Sequence, residues 1–334
     1  MALPRIAITL GDPAGIGPEI ALKAALDPRV TSVCSPLLVG DHEVLSYHAR
    51  RCGLNPAIRP SSSVANLDWS AGAIPLLRVA LPSGESFDLG EIRAVHGRAA
   101  VDAARAAILA ARDGHVAAVV AAPQTELAIA QAGIQFDGYP GLVAQCTGTP
   151  PEDVFLMLCF DERRIAHVTL HLGLARAITL VTRERVKACI TATHRALSAM
   201  GIAAPRIAVS GLNPHAGEGG LFGDEEIHII APAIEAAKKE GIRAEGPFGA
   251  DIMYNRPGYD AFVVMIHDQG HIPAKLLGEN RTAAITIGTP VLFSSVAHGS
   301  ALDIAGKNRA SHEAVVEAIC RLTGTAGGGP MHRH

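Results

Sequence analysis

The 334-residue chain has no block of basic residues, no CxxC spacing among its cysteines, and no apolar run long enough to cross a bilayer. A nucleic-acid surface needs clustered lysine and arginine to neutralise phosphates, so a formal charge of -3 without such a cluster argues for a small-molecule partner. No N-terminal apolar stretch carries a basic flank and a cleavage site, and the expected location is cytoplasmic. The cysteines at 34, 52, 146, 159, 189 and 320 are scattered, several inside apolar runs such as Leu156 to Phe160, and read as reduced core residues. Internal repeats and low-complexity linkers are also missing, and no GxGxxG follows a strand. The glycine-rich tail from Gly324 to His334 has no apolar periodicity and is expected to be mobile, so His332 and His334 are set aside.

What is present is a large apolar fraction, 49% hydrophobic against 18% charged, enough for two domains or one large α/β unit. Arg5 to Leu10 reads as a buried strand that turns through Gly11-Asp12-Pro13-Ala14-Gly15-Ile16-Gly17 into a helix opened by Pro18 and Glu19. Apolar residues at helical spacing run from Glu91 to Gly114, and Val116 to Ala121 follows as a strand. Strands are expected at Val154 to Leu158, Ile165 to Leu170, Ile207 to Leu212, Phe262 to Ile266 and Ala283 to Ile287, with helices at Arg183 to Met200 and Glu225 to Lys239. The alternation predicts a mostly parallel sheet covered by helices, with sites beyond the carboxyl ends of the strands.

Three histidines sit where that rule puts chemistry. His171, His215 and His267 each follow a strand-like run, and three imidazoles suit a catalytic divalent metal with an open position, zinc or a similar transition ion. His271 lies four residues after His267, but Pro273 argues against a regular helix there, so it is read as structural. His167, in the expected strand, is read as packed or as a support beneath the site. Asp12 and Glu19 are read as capping the first helix at least as readily as touching a cofactor.

Taken together, Gly11 to Glu19, Asn213-Pro214-His215, Gly246-Pro247 with Ala250-Asp251, His267-Asp268-Gln269-Gly270 with Lys275, and His298 to Gly306 resemble the 4-hydroxythreonine-4-phosphate dehydrogenase (PdxA) family. The resemblance implies two α/β/α domains around a cleft, like isocitrate and isopropylmalate dehydrogenases, and a homodimer that shares its active sites. The expected division is 1–125 plus 270–330 for the first domain and 126–269 for the second. The resemblance also implies His171, His215 and His267 as metal ligands, one of them from a partner subunit, and Lys275, Asp268 and Asp251 beside the reacting substrate. Gly288, His298, Gly299, Ser300, Ala301, Asp303 and Gly306 fall in segments similar to those that bind NAD or NADP.

The departures bear on the substrate. Where the family has a lysine after a Gly-Pro pair, this chain reads Ala122-Pro123-Gln124-Thr125-Glu126; where the family reads Gly-His-Thr-Glu, it reads Gly138-Tyr139-Pro140-Gly141. An asparagine and an arginine that hold the substrate phosphate align with Ala284 and Phe293. A phosphate dianion needs charged or N–H donors, and Phe293 offers none. The expected substrate is therefore unphosphorylated, flatter and more apolar, with Tyr139, Phe293 and Asn213 against it. The same departures resemble the branch that oxidises terephthalate cis-dihydrodiol. A phosphorylated substrate is the runner-up, and the rivals from other classes are a metal-dependent hydrolase and a two-domain binding protein.

Overall fold

The computed structural model describes residues 3–70, 72–82, 85–278, 282–296 and 298–324; residues 325–334, in the tail set aside above, lie outside the described residues. Twelve strands run in chain order: β1 (Arg5–Thr9), β2 (Ser35–Gly40), β3 (Ile58–Ser61), β4 (Ile74–Arg78), β5 (Ala118–Ala121), β6 (Phe155–Phe160), β7 (Arg163–His167), β8 (Arg206–Ser210), β9 (Arg243–Phe248), β10 (Ala261–Val264), β11 (Ala283–Ile287) and β12 (Leu292–Ser295). The chain divides into two compact units, Met1–Gly148 with Pro290–Thr325, and Thr149–Thr289. These limits differ from the expected 125/126 and 269/270. Helices Glu126–Gln131 and Gly138–Thr147 pack on Ala94–Arg112 in the first unit, and helix His267–Gly278 packs on β6 and β7 in the second.

In the first unit the strands lie in the order β3-β4-β2-β1-β5-β12, every neighbour parallel. Their buried faces carry Ala7, Leu37, Val39, Val119 and Phe293, which meet Val101, Ala104 and Ile108 from helix Ala94–Arg112 at the periodicity read from the sequence. The second unit is mixed. Its order is β11-β6-β7-β10-β8-β9, with β6 antiparallel to both its neighbours and β7, β10, β8 and β9 mutually parallel. A parallel set has one carboxyl edge, and the loops after β7, β10, β8 and β9 carry His171, His267, His215 and Asp251 to it. Among the described residues no helix is long and apolar enough to cross a membrane.

Candidate metal and dehydrogenase site

Helix His267–Gly278 begins two residues beyond β10 and continues through Pro273. Proline cannot donate to the carbonyl four residues back, which here belongs to Gln269. The Tyr254 hydroxyl donates to that carbonyl at 2.7 Å, so the acceptor left over by the proline is satisfied and the helix persists. This corrects the expectation that Pro273 interrupts the helix after His267. His267 and His271 share a helical face, with ring centroids 3.8 Å apart and planes 11° from parallel. His171 comes in from the loop after β7, its centroid 5.6 Å from His267 and 6.3 Å from His271. One donor atom from each of the three lies within 4.8 Å of the others, a set that fits a divalent transition ion.

The surrounding groups hold these rings. His267 Nδ1 is 2.6 Å from Asp268 Oδ1, so Asp268 serves as a ring orienter. Gln269 accepts from the backbone N–H groups of Met265 (2.9 Å) and Ile266 (3.2 Å) and donates to the Gly211 carbonyl (2.9 Å), tying the turn after β10 to the turn after β8. His167 is buried beneath the helix and 3.1 Å from His271 Nδ1. Burial and then the neighbouring imidazole of His271 push the His167 pKa down to about 3; burial and then His267 push His271 down to about 4.

His215 stands outside the group of three. It lies in a run of left-handed residues, His215, Ala216, Gly217, Glu218 and Gly219, with φ between 45° and 79°. That region costs a non-glycine residue about 1–2 kcal/mol. Buried Glu226 holds the loop in place, accepting from the N–H groups of Leu212 (2.7 Å) and Asn213 (2.8 Å) and from the Asn213 amide (2.9 Å). Asn213, expected against substrate, directs its amide nitrogen to Glu226 and to Glu225 at 2.6 Å, so it anchors the loop. The exposed His215 ring pairs with Glu218 at 3.1 Å. Asp251 belongs to the same corner, for a Cβ at Gly249 would meet Asp251 Oδ1 at 2.7 Å and His215 Cα at 3.8 Å.

Lys275 follows His271 by one helical turn and His267 by two, on the same face, and its charge disfavours protonation of His271. A hollow of about 470 Å³ opens beside His171, His267 and Asp268. Its remaining wall is Leu170, Leu172, Leu174, Ala177 and Ile266, with no lysine or arginine among the described residues.

In the first unit, the segment containing His298, Gly299, Ser300, Ala301, Asp303 and Gly306 is held against the first loop. Ile16 N donates to the Ser300 carbonyl at 2.9 Å, and a Cβ at Gly15 would stand 2.7 Å from that oxygen. The Thr125 hydroxyl lies between Asp12, which it contacts closely, and Ser300 Oγ at 3.0 Å. Asp12 does not cap the first helix, whose N-cap is Ile16; it accepts from Ala14 N at 2.9 Å and shapes the turn before it. His298, Gly299 and Asp303 are exposed, and Ala301 is left-handed at φ 41°. Gly288 is in the second unit, where a Cβ would meet the Asp153 carbonyl oxygen at 1.9 Å, so packing alone requires glycine there.

Tyr139 and Phe293 depart from the expected placement. Phe293 is fully buried on β12, and Tyr139 packs on it with centroids 5.0 Å apart while its hydroxyl donates to the Ala122 carbonyl at 3.0 Å. Neither presents its ring to a ligand. Tyr139, which stands at the histidine of the family's Gly-His-Thr-Glu, and Phe293, which stands at its arginine, are thus in contact with each other inside a core.

Residues 32–321 match the family "Pyridoxal phosphate biosynthetic protein PdxA". The chain belongs to the PdxA family. A relative from Comamonas sp, 1,2-dihydroxy-3,5-cyclohexadiene-1,4-dicarboxylate dehydrogenase, is 40% identical over 95% of this chain and 96% of its own. The crystal structure of a terephthalate 1,2-cis-dihydrodiol dehydrogenase from Burkholderia xenovorans LB400 is 42% identical, covers 96% of this chain and 98% of that one, and superposes with a TM-score of 0.78. That of a 4-hydroxythreonine-4-phosphate dehydrogenase from Burkholderia phymatum is 34% identical, covers 98% and 99%, and superposes at 0.88. The family is one of dehydrogenases with small-molecule substrates, as the motifs implied.

Proposed function

We propose that the protein oxidises and decarboxylates an unphosphorylated cis-dihydrodiol carboxylate, of which terephthalate 1,2-cis-dihydrodiol, giving 3,4-dihydroxybenzoate, is the best fit. The dihydrodiol dicarboxylate and NAD(P)+ yield 3,4-dihydroxybenzoate, carbon dioxide and NAD(P)H. The observation that carries this reading is the burial of Phe293 against Tyr139, because an arginine clamp for phosphate is replaced there by packed aromatic surface. The hollow, lined by no lysine or arginine among the described residues, supports it, as do the two relatives at 40% and 42% identity.

The cation is assigned to His171 and His267, with His215 contributing across a homodimer, and the nicotinamide cofactor to the segment from His298 to Gly306. When bound, the cation supplies Lewis acidity at the hydroxyl and the nicotinamide accepts the hydride. Lys275 moves the proton at the hydroxyl and, after loss of carbon dioxide, at the enolate carbon or oxygen. Asp268 fixes the His267 ring, and Asp251 stands beside His215 to hold substrate. Aromatisation drives the decarboxylation forward.

A phosphorylated hydroxy acid is the second reading, favoured by the superposition at 0.88. Superposition registers the fold, whereas substrate choice resides in side chains. Supplying each compound with NAD(P)+ and a divalent metal separates the two readings. The dihydrodiol is expected to raise the reduced-nicotinamide absorbance and release carbon dioxide. Turnover of 4-hydroxythreonine 4-phosphate alone would overturn the reading, and product formation without reduced nicotinamide would indicate hydrolysis.

A further inference from the structure

Glu19 stands in the first turn of helix Gly17–Leu26, where a solvated carboxylate would already complement the helix dipole, yet it has no exposed surface. Burying a carboxylate is unfavourable unless it is paired and hydrogen-bonded. Glu19 Oε1 is 2.7 Å from Lys23 Nζ, one turn further along the same helix, and accepts from the Ala310 N–H at 3.0 Å. Lys23 Nζ in turn donates to the Ala310 carbonyl at 3.2 Å. One ion pair thus takes up both backbone polar groups of a residue far along the chain.

Ala310 lies just beyond Gly306, at the far end of the segment assigned to the nicotinamide cofactor. The same helix holds the near end, where the N–H of its N-cap residue Ile16 donates to the Ser300 carbonyl. Between these anchors the Arg51 Nε donates to the Gly306 carbonyl at 3.1 Å and Lys307 Nζ to the Asp303 carbonyl at 2.7 Å. The outer side is open: Asp303 is exposed, and a Cβ at Gly299 would meet nothing within 4 Å. We propose that Glu19, acting with Lys23, is a positioning residue for the cofactor, fixing the end of this segment so that its outer side keeps one binding-competent form. The inference rests on the cofactor assignment above and deepens it.

The segment needs such an anchor because its backbone is strained. Ala301 and Asn308 are left-handed, at φ 41° and 57°, and residues other than glycine persist there only where their surroundings hold them. Apparent affinity falls in proportion to the fraction of the protein in the competent form, so loosening the segment weakens the cofactor without touching the imidazoles of the second unit. Glu19, wholly buried, acts through the backbone of Ala310 and not on the ligand.

The test follows binding of NADH and of NADPH to the full-length protein by their fluorescence, with circular dichroism to establish that each variant is folded. Glu19→Ala is expected to weaken the cofactor by roughly 10–100-fold, the span of a lost hydrogen bond to a charged group, and Lys23→Met by a few-fold. Glu19→Gln combined with Lys23→Met keeps an acceptor for the Ala310 N–H and leaves no unpaired buried charge, so it is expected to bind as Lys23→Met does. Arg29→Met breaks the pairs with Asp27 and Glu313 and is expected to lower the unfolding midpoint while cofactor affinity stays at the wild-type value. Equal weakening by Arg29→Met, or a double variant as weak as Glu19→Ala, would reduce the effect to general loosening and overturn the role of Glu19. Wild-type affinity in Glu19→Ala, or in Lys23→Met should the former not fold, would overturn it too and leave the cofactor assignment standing. Gly299→Trp sets a ring on the open side and is expected to abolish binding; full binding by that variant, or none by the wild type, would overturn the assignment itself.

Discussion

His96 in the first unit and His271 in the second both sit on helices and both engage Nδ1, yet their second nitrogens differ. His96 places Nδ1 2.9 Å from the Glu91 carbonyl and accepts from Asp88 N on Nε2 at 3.4 Å, so the ring is used up by the backbone around it. His271 directs Nδ1 to another imidazole, and one of its ring nitrogens lies within 4.8 Å of donor atoms of His171 and His267. The units differ in the same way. The first is an all-parallel sheet whose loops close on carbonyls, hydroxyls and glycine, a scaffold that can cradle a cofactor. The second gathers imidazoles, carboxylates and a lysine on one sheet edge. A histidine's role is read from what its second nitrogen meets.

The largest expected effect falls on the chemistry of the second unit. Lys275→Ala should lower turnover by about 10²–10⁴-fold, the range for general acid–base groups, while zinc affinity stays within a few-fold. Equal loss of both, measured by steady-state kinetics and metal titration, would make Lys275 a part of the metal site and remove it as a proton carrier. In the first unit the expected loss is of stability. Phe293→Ala should cost about 3–5 kcal/mol in denaturant unfolding, because the ring is wholly buried against Tyr139. A change below about 1 kcal/mol would mean that Phe293 borders open space, and the contrast between a closed first core and an open second edge would fail.

Much of this was readable in the residues, and the misses have physical causes. Ala283–Ile287 has the limits its apolar run gave, and helix Arg183–Ala199 stops one residue short of the reading. A buried run does not reveal direction, so the antiparallel placement of β6 was hidden. The strands β2, β3, β4, β9 and β12 escaped, β3 being a four-residue strand with no fully buried position. At the site, His171 and His267 were legible and lie together, whereas His271 was visible by spacing and discounted because of Pro273. The group that rescues that helix, the Tyr254 hydroxyl, is fifteen residues upstream, and no local pattern announces it. Phe293 was legible as the absence of an arginine, but which face of β12 it occupies is decided by packing.

That rescue can be measured alone. Tyr254→Phe keeps the ring packed near Phe262, at a centroid distance of 5.0 Å, and removes only the donor to the Gln269 carbonyl. The expected cost is about 1 kcal/mol, with the acceptor that Pro273 cannot pair left empty and zinc affinity lowered through the looser helix. Pro273→Ala in the same background restores a backbone donor to that carbonyl and should recover the loss; no recovery would show that the hydroxyl acts elsewhere.

The smallest effect expected is a pH slope from the first unit. His48 is fully buried, its Nε2 3.0 Å from the Pro13 carbonyl and its Nδ1 without a partner among the described residues, stacked on Phe87 and edge-on to Tyr47. Burial holds its pKa below the ordinary 6.5; the Pro13 carbonyl and the carboxylates of Glu19 and Asp12 oppose this without cancelling it. The unfolded chain therefore binds a proton below pH 6.5 that the folded chain resists. Stability is intact above that pH and declines as pH falls beneath it. His48→Gln cannot titrate and still donates to a carbonyl, so its denaturation midpoint should fall less than the wild type's between pH 7 and about pH 5. Parallel profiles would place the acid sensitivity in the imidazole-rich second unit.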